Sequence, residues 1–277
     1  MGELLRGRLS RLSLSTTSTI IIIIIVAVAA IAGAAILGPR AAPHASTASS
    51  QPTTSSITVT SSSAPAVSTT SVQQLTLSSI ESLNSSWVIS LGPENSSKVI
   101  VIIYDPECPY CSLELNATLP FFYYVSLNTS QARVVFLGLP IHQYSVQMLE
   151  ILYEVYKLYG PKAFVELLDF NYAYYTRNIE LYLNHEVNQL VMPTNYTLIE
   201  MADELGFNVT QQESNAWYPA VAGVESFLLS HNVSAVPTIL AFNGSQEPVY
   251  YQVGLEQPVY LVGNLTERLD LNVPGLS

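Results

Sequence analysis

The chain has 277 residues, 49% of them apolar, and carries a net charge of −11 from 21 acidic and 10 basic side chains. That balance, with no basic patch, excludes nucleic acid as a partner. The length suits one domain of about 200 residues plus extensions, and the 11% of charged residues is low for a globular protein.

Residues 1–19 form a short basic tail with Arg6, Arg8 and Arg11. Residues 20–37 contain no charge and open with six isoleucines, Ile20 to Ile25. Eighteen such residues are near the minimum for spanning a bilayer, and basic residues on the short side place that side in the cytoplasm. The expectation is a single-pass signal anchor in the cell membrane that contacts the lipid bilayer. The N-terminus is then cytoplasmic and everything after Leu37 extracytoplasmic. A cleaved signal peptide is the other reading, with small residues around Ala41, Ala42 and Pro43. Residues 38–78 are Ser, Thr, Ala and Pro with almost no charge. Such a stretch cannot bury enough apolar surface to order itself, so a disordered stalk is expected.

The remainder, 79–277, reads as one domain. Asn-x-Ser/Thr sequons make Asn84, Asn95, Asn128, Asn195, Asn208, Asn232, Asn243 and Asn264 candidate N-glycosylation sites on an exported chain. A further sequon, Asn116, sits too close behind Cys111 to be readily occupied. Trp87–Ser90 is a short strand pattern, and Gly92–Asn95 a turn. Lys98–Tyr104 is apolar almost throughout, as in a central strand covered on both faces. A helix is expected from about Cys108 to Tyr124, kinked at Pro120. Ala132–Leu139 is the next strand, ended by Pro140. A helical block follows over about 143–231. Val146, Leu149, Tyr153, Tyr156 and Tyr159 form one stripe, and Gly160–Pro161 breaks the run before Phe164, Leu167 and Leu168. Thr197 with Glu200, and Thr210 with Glu213, fit capping boxes, and Gly206 stops the helix between them. The many tyrosines here read as packing. Val233–Gly244 returns to strand with Pro237 at its head, Pro248–Val253 pairs back on it, and Pro258–Leu271 closes as a helix.

Cys108 and Cys111 are the only cysteines. They stand where a buried strand hands over to a helix. First-turn amides lack intrahelical partners and carry partial positive charge, so a thiolate there is stabilised and becomes a usable nucleophile. The second cysteine lies one turn away and can attack a mixed disulfide on the first. A structural disulfide, half a zinc site and a pair of inert buried thiols are the competing readings. The first closes too short a loop to stabilise much. The second needs two more ligands, and His44, His142, His185 and His231 lack ligand spacing.

Two segments together resemble the DsbA-type thiol:disulfide oxidoreductases. Asp105-Pro-Glu-Cys-Pro-Tyr-Cys111 is similar to that family's active-site strand and helix start. Val236-Pro237-Thr238, with Phe242-Asn-Gly244 behind it, is similar to its cis-proline loop. The resemblance covers about Trp87 to Leu271. It implies an α/β, thioredoxin-like fold whose mixed central sheet carries an inserted helical subdomain. It also implies that Cys108 is the exposed exchanging sulfur, Cys111 the buried resolving thiol, and Pro109 and Tyr110 the residues that tune the redox potential. Pro237 would be cis, and Val236, Pro237 and Thr238 would bind substrate, the Val236 backbone pairing with an extended chain. No cofactor or metal is implied. The partners would be exported polypeptides bearing thiols or disulfides and a membrane redox partner. Three positions depart from the family pattern: Ile102 replaces a buried acid, Tyr110 replaces the histidine of the strongest oxidants, and Ser112 replaces a basic residue.

The activity expected is oxidation of exported proteins. An isomerase or reductase of surface thiols is the alternative in the same class. A non-enzymatic surface glycoprotein using the fold as a binding module is the alternative outside it. The charge-poor, hydroxyl- and amide-rich composition also suits an acidic exterior, in which Cys108 would have to titrate well below neutrality.

Overall fold

The computed structural model describes residues 75–274. The basic tail 1–19, the spanning segment 20–37 and the stalk up to residue 74 lie outside the described residues. Among those described, no helix is long and apolar enough to cross a membrane.

The order of elements follows the sequence pattern, with an extra short helix in front. These are α1 (Leu77–Glu81), β1 (Ile89–Leu91), β2 (Lys98–Tyr104), α2 (Pro109–Tyr123) and β3 (Arg133–Gly138). The helical block follows as α3 (Ser145–Tyr159), α4 (Pro161–Leu183), α5 (Asn195–Glu204), α6 (Gln211–Ser214) and α7 (Tyr218–Ser230). A hairpin, β4 (Thr238–Asn243) and β5 (Tyr250–Val253), and α8 (Pro258–Arg268) close the chain.

The strands form one mixed sheet in the order β1-β3-β2-β4-β5. β2 and β3 are parallel, so a crossover is needed, and α2 supplies it. The other pairings are antiparallel. β2 sits at the centre with every residue after Lys98 buried, which explains its unbroken run of β-branched side chains. Behind it, Tyr104, Phe136 and Phe164 meet edge to face, with ring centroids 5.0–6.4 Å apart.

Several boundaries move. The domain starts earlier than residue 79. Leu75 and Leu77 are buried, Thr76 caps α1, and the Leu77 amide donates to the Gln246 carbonyl (3.0 Å). The compositional stalk therefore ends before its last apolar residues, which pack as core. Trp87 ends a 3₁₀ turn and is not strand; β1 begins at Ile89. The cap of α5 is Thr194, paired with Thr197 as its third residue, one turn before the expected start. Thr210 does cap α6, its hydroxyl accepting from the Glu213 amide. Pro120 lies inside α2, which continues to Tyr123 and ends in a wider π-helical turn over Tyr124–Asn128. Of the α3 stripe, Leu149 and Tyr153 are buried, whereas Tyr159 is exposed and hydrogen-bonded to the Asn208 backbone. Asn195 is also buried, its amide on Gln211 Oε1 (2.9 Å), so it is not available for a glycan in the folded domain.

Candidate active site

The site forms where β2 ends. β2 delivers Asp105 and Pro106 into a tight turn, closed by the Cys108 amide donating to the Asp105 carbonyl (3.1 Å). Cys108 is the N-cap of α2 and Pro109 its first residue, a position where the missing N–H of proline costs nothing. The capping group is therefore a sulfur: the Cys111 amide points at Cys108 Sγ (3.4 Å). Hydrogen bonding from the Cys111 thiol, opposed by burial and helped by the Cys111 and Tyr110 amides, lowers the Cys108 thiol to about 7. Burial and its hydrogen bond to Cys108 push Cys111 well above the ordinary thiol range. The two sulfurs are thus chemically unequal, one ready to ionise and one held protonated.

Two expectations change here. Cys108 is only 3% exposed, so it is covered where an exposed sulfur was expected. Its thiol is lowered to about neutrality, not well below it, because burial cancels part of what the helix start and the amides provide.

Across the sheet, the Val236–Pro237 bond is cis. Register brings it to the site: Ile103 faces Thr238 in the β2–β4 ladder, so Pro237 lies beside the end of β2. The Pro237 carbonyl is held by the Gly254 amide (2.8 Å). Val236 is buried, and among the described residues its backbone makes no hydrogen bond. Thr238 is buried, with its hydroxyl donating to the Ala235 carbonyl (2.8 Å) within the same loop. Tyr110 is half-exposed and faces out, and Ile141 is equally exposed on the loop after β3.

Residues that sequence patterns did not single out hold this arrangement. Asp105 is fully buried and gathers four donors. They are the Glu107 amide (2.7 Å), the Ile141 amide (2.8 Å), the Ser145 hydroxyl (2.7 Å) and His142 Nδ1 (2.9 Å). Glu107 adds the Tyr144 amide (2.7 Å). Together they clamp the loop between β3 and α3 onto the cysteine turn. From α4, Asn171 Nδ2 donates to the Pro106 carbonyl (2.7 Å) and the Tyr172 hydroxyl to the Asp105 carbonyl (3.0 Å). Part of the tyrosine-rich block therefore positions the site as well as packing it. The helical insertion reaches the cysteine turn through these two side chains and through Tyr144 and Ser145 at the start of α3.

A second buried acid, Glu114, lies one turn beyond Cys111. Its Oε2 accepts from the Glu256 amide (2.6 Å) and Gln252 Nε2 (3.0 Å), while Oε1 is sealed without a partner. Burial raises its carboxyl to about 7 against those two hydrogen bonds. The strand position expected to carry a buried acid is Ile102, fully enclosed; the acid comes from the helix instead. A local signal existed. Cys111, Leu115, Leu119 and Phe122 mark the buried face of α2, and Glu114 falls on it. His142 and Ser145 had no such signal, because only the tertiary contact to Asp105 gives them a role.

No family model matches the chain, and no curated protein matches it. Among solved structures, Proteus mirabilis ScsC in a transitional conformation is 16% identical, covering 68% of this chain and 74% of that one at a TM-score of 0.50. Wolbachia pipientis alpha-DsbA1 is 11% identical, covering 66% of this chain and 90% of that one, also at 0.50. With the sheet order, the cis-proline and the helical insertion, this is the thioredoxin-like fold in its helix-inserted, DsbA-like form.

Proposed function

We propose that this protein is a thiol:disulfide oxidoreductase acting on exported polypeptides, with Cys108 as the exchanging sulfur and Cys111 as the resolving one. The observation that carries the reading is the inequality of the two thiols: Cys108 capping α2 and lowered to about 7, Cys111 sealed and raised. In the reducing direction the Cys108 thiolate attacks a substrate disulfide, forming a Cys108–substrate bond and releasing one substrate thiolate. Cys111 then loses its proton and attacks Cys108. The Cys108–Cys111 disulfide forms, and the second substrate thiolate leaves. Two electrons have passed to the substrate. Oxidation of a substrate dithiol is the same sequence reversed, and the potential of the pair against its compartment sets the direction.

Because Cys108 is nearly enclosed, an incoming sulfur reaches it only when the cover shifts. The unpaired Val236 backbone in the cis-proline loop supports strand addition by an extended chain. Half-exposed Tyr110 and Ile141 offer apolar contact suited to incompletely folded polypeptides. The basic, then apolar, N-terminal sequence supports a membrane-tethered protein whose domain lies outside the cytoplasm and is recycled by a membrane redox partner. The test is mixed-disulfide capture. Cys111→Ser is expected to accumulate Cys108-linked substrates that reductant releases, and Cys108→Ser to capture none. Capture by Cys108→Ser alone would reverse the roles, and capture by neither in a folded protein would refute the activity.

A further inference from the structure

The loop between β3 and α3 brings one ionisable cation to the cysteine turn. His142 Nδ1 lies 2.9 Å from Asp105 Oδ2, and the imidazole is about one-third exposed while Asp105 is fully buried. The His142 amide is itself fixed on the Ser145 hydroxyl (3.2 Å), which also donates to Asp105. Asp105 in turn closes the turn that ends at Cys108. His142 is therefore held by its own backbone, by its ring and by the loop on either side. The ionisable groups around it are Asp105 and Glu107 on the turn and Cys108 at the start of α2. All three are acids, and no basic side chain is paired with Asp105 among the described residues except His142.

That geometry sets a conflict. The Asp105 charge sits three residues before Cys108 and opposes ionisation of both thiols. Positions between and after the cysteines supply no cation: Tyr110 and Ser112 are neutral. We infer that His142, held on Asp105, is the positioning residue that offsets the Asp105 field and stabilises the Cys108 thiolate from outside the Cys-x-x-Cys segment. Burial alone would disfavour a charged imidazole, but the hydrogen bond and charge of Asp105, with Cys108 and Glu107, outweigh it and raise the His142 pKa. The imidazolium thus persists further toward neutrality, where the Cys108 thiol ionises. As pH rises past the His142 midpoint the offset is lost and the Asp105 field is felt in full.

The inference rests on the exchange reading of Cys108 and is tested separately from it. In His142→Asn the amide can keep the hydrogen bond to Asp105 but carries no charge. Thiolate absorbance of the reduced variant is expected to show the Cys108 midpoint raised by roughly half to one pH unit, a three- to tenfold loss of thiolate below the midpoint. A purely structural role would leave it in place. Coupling is reciprocal, so the imidazole of wild-type protein, followed by proton resonance, should titrate lower in the oxidised form than in the reduced one by a similar amount. This second measurement needs no variant and survives misfolding of the first. Identical His142 titrations in the two redox forms overturn the inference, as does an unchanged Cys108 midpoint in folded His142→Asn. A wild type with no thiolate below the free-cysteine range removes the exchange reading, and this inference with it.

Discussion

Glu114 gives the sharpest stability test. Its carboxyl is raised from 4.5 to about 7, chiefly by burial. The native state therefore holds a proton that the unfolded chain releases two to three pH units earlier. The sign follows: this stabilisation is complete below about pH 4.5 and is lost as pH rises through about 7. At about 1.4 kcal/mol per unit the whole span is worth about 3 kcal/mol. Glu114→Gln removes the titration. The amide oxygen can still accept from the Glu256 amide and Gln252, but its NH₂ then occupies the place of Oε1, which has no partner. Below about pH 7 the parent's own carboxyl proton sits on that same unpartnered oxygen, so an orphan-donor cost of about 1–3 kcal/mol is common to both proteins there. The variant should accordingly lie close to the parent at pH 4.5 and exceed it by pH 8, by up to about 3 kcal/mol. Urea midpoints from pH 4.5 to 8 read this out. Both proteins should carry Cys108→Ser, since Glu114 also feels the Cys108 charge. A difference between the two curves that stays constant with pH would falsify the buried-proton account.

Two further outcomes follow from the fold. A protein beginning at Leu75 should unfold at a clearly higher urea concentration than one beginning at Ser79. The shorter form loses two buried leucines and the Leu77–Gln246 contact, a cost of about 4 kcal/mol or more; equal midpoints would return Leu75 and Leu77 to the stalk. If the domain is glycosylated, peptide mapping should find Asn195 unmodified, because its side chain is buried on Gln211, while sequons at exposed Asn84, Asn95, Asn128, Asn208, Asn232 and Asn243 remain open to modification. A glycan on Asn195 in folded protein would contradict its burial.

What the sequence disclosed was local. β2 is legible because burial on both faces demands a continuous apolar run, and the handover to α2 is legible because Cys108, Pro109 and Cys111 suit a cap and a first turn. The hairpin is marked by Gly244 (φ 73°), a left-handed position that glycine adopts without cost. The limits were equally physical. Composition cannot say which apolar residues at the end of a polar stretch find a core, so Leu75 and Leu77 passed as stalk. Thr194 and Thr197 both suit a cap, and their reciprocal hydrogen bonds put Thr194 at the cap and Thr197 inside the first turn. Asp105 reads as a strand terminator until the loop from Ile141 to Ser145 is folded back on it.

That last point bears on how this site is tuned. In a Cys-x-x-Cys centre the obvious levers are the two intervening residues, and here they are Pro109 and Tyr110, neither of them a carboxylate or a basic side chain. The ionisable groups that the cysteines feel come from elsewhere. Asp105 belongs to the turn before, His142 to the loop after β3, and Glu114 to the next turn of α2, tied in turn to the strand and loop after Pro237. Each is fixed by contacts distant in sequence, on elements that shape the site. Asp105 anchors the β3–α3 loop, and Glu114 anchors the segment whose Gly254 amide holds Pro237. The electrostatics of the thiols and the shape of the loops around them are therefore set by the same hydrogen bonds.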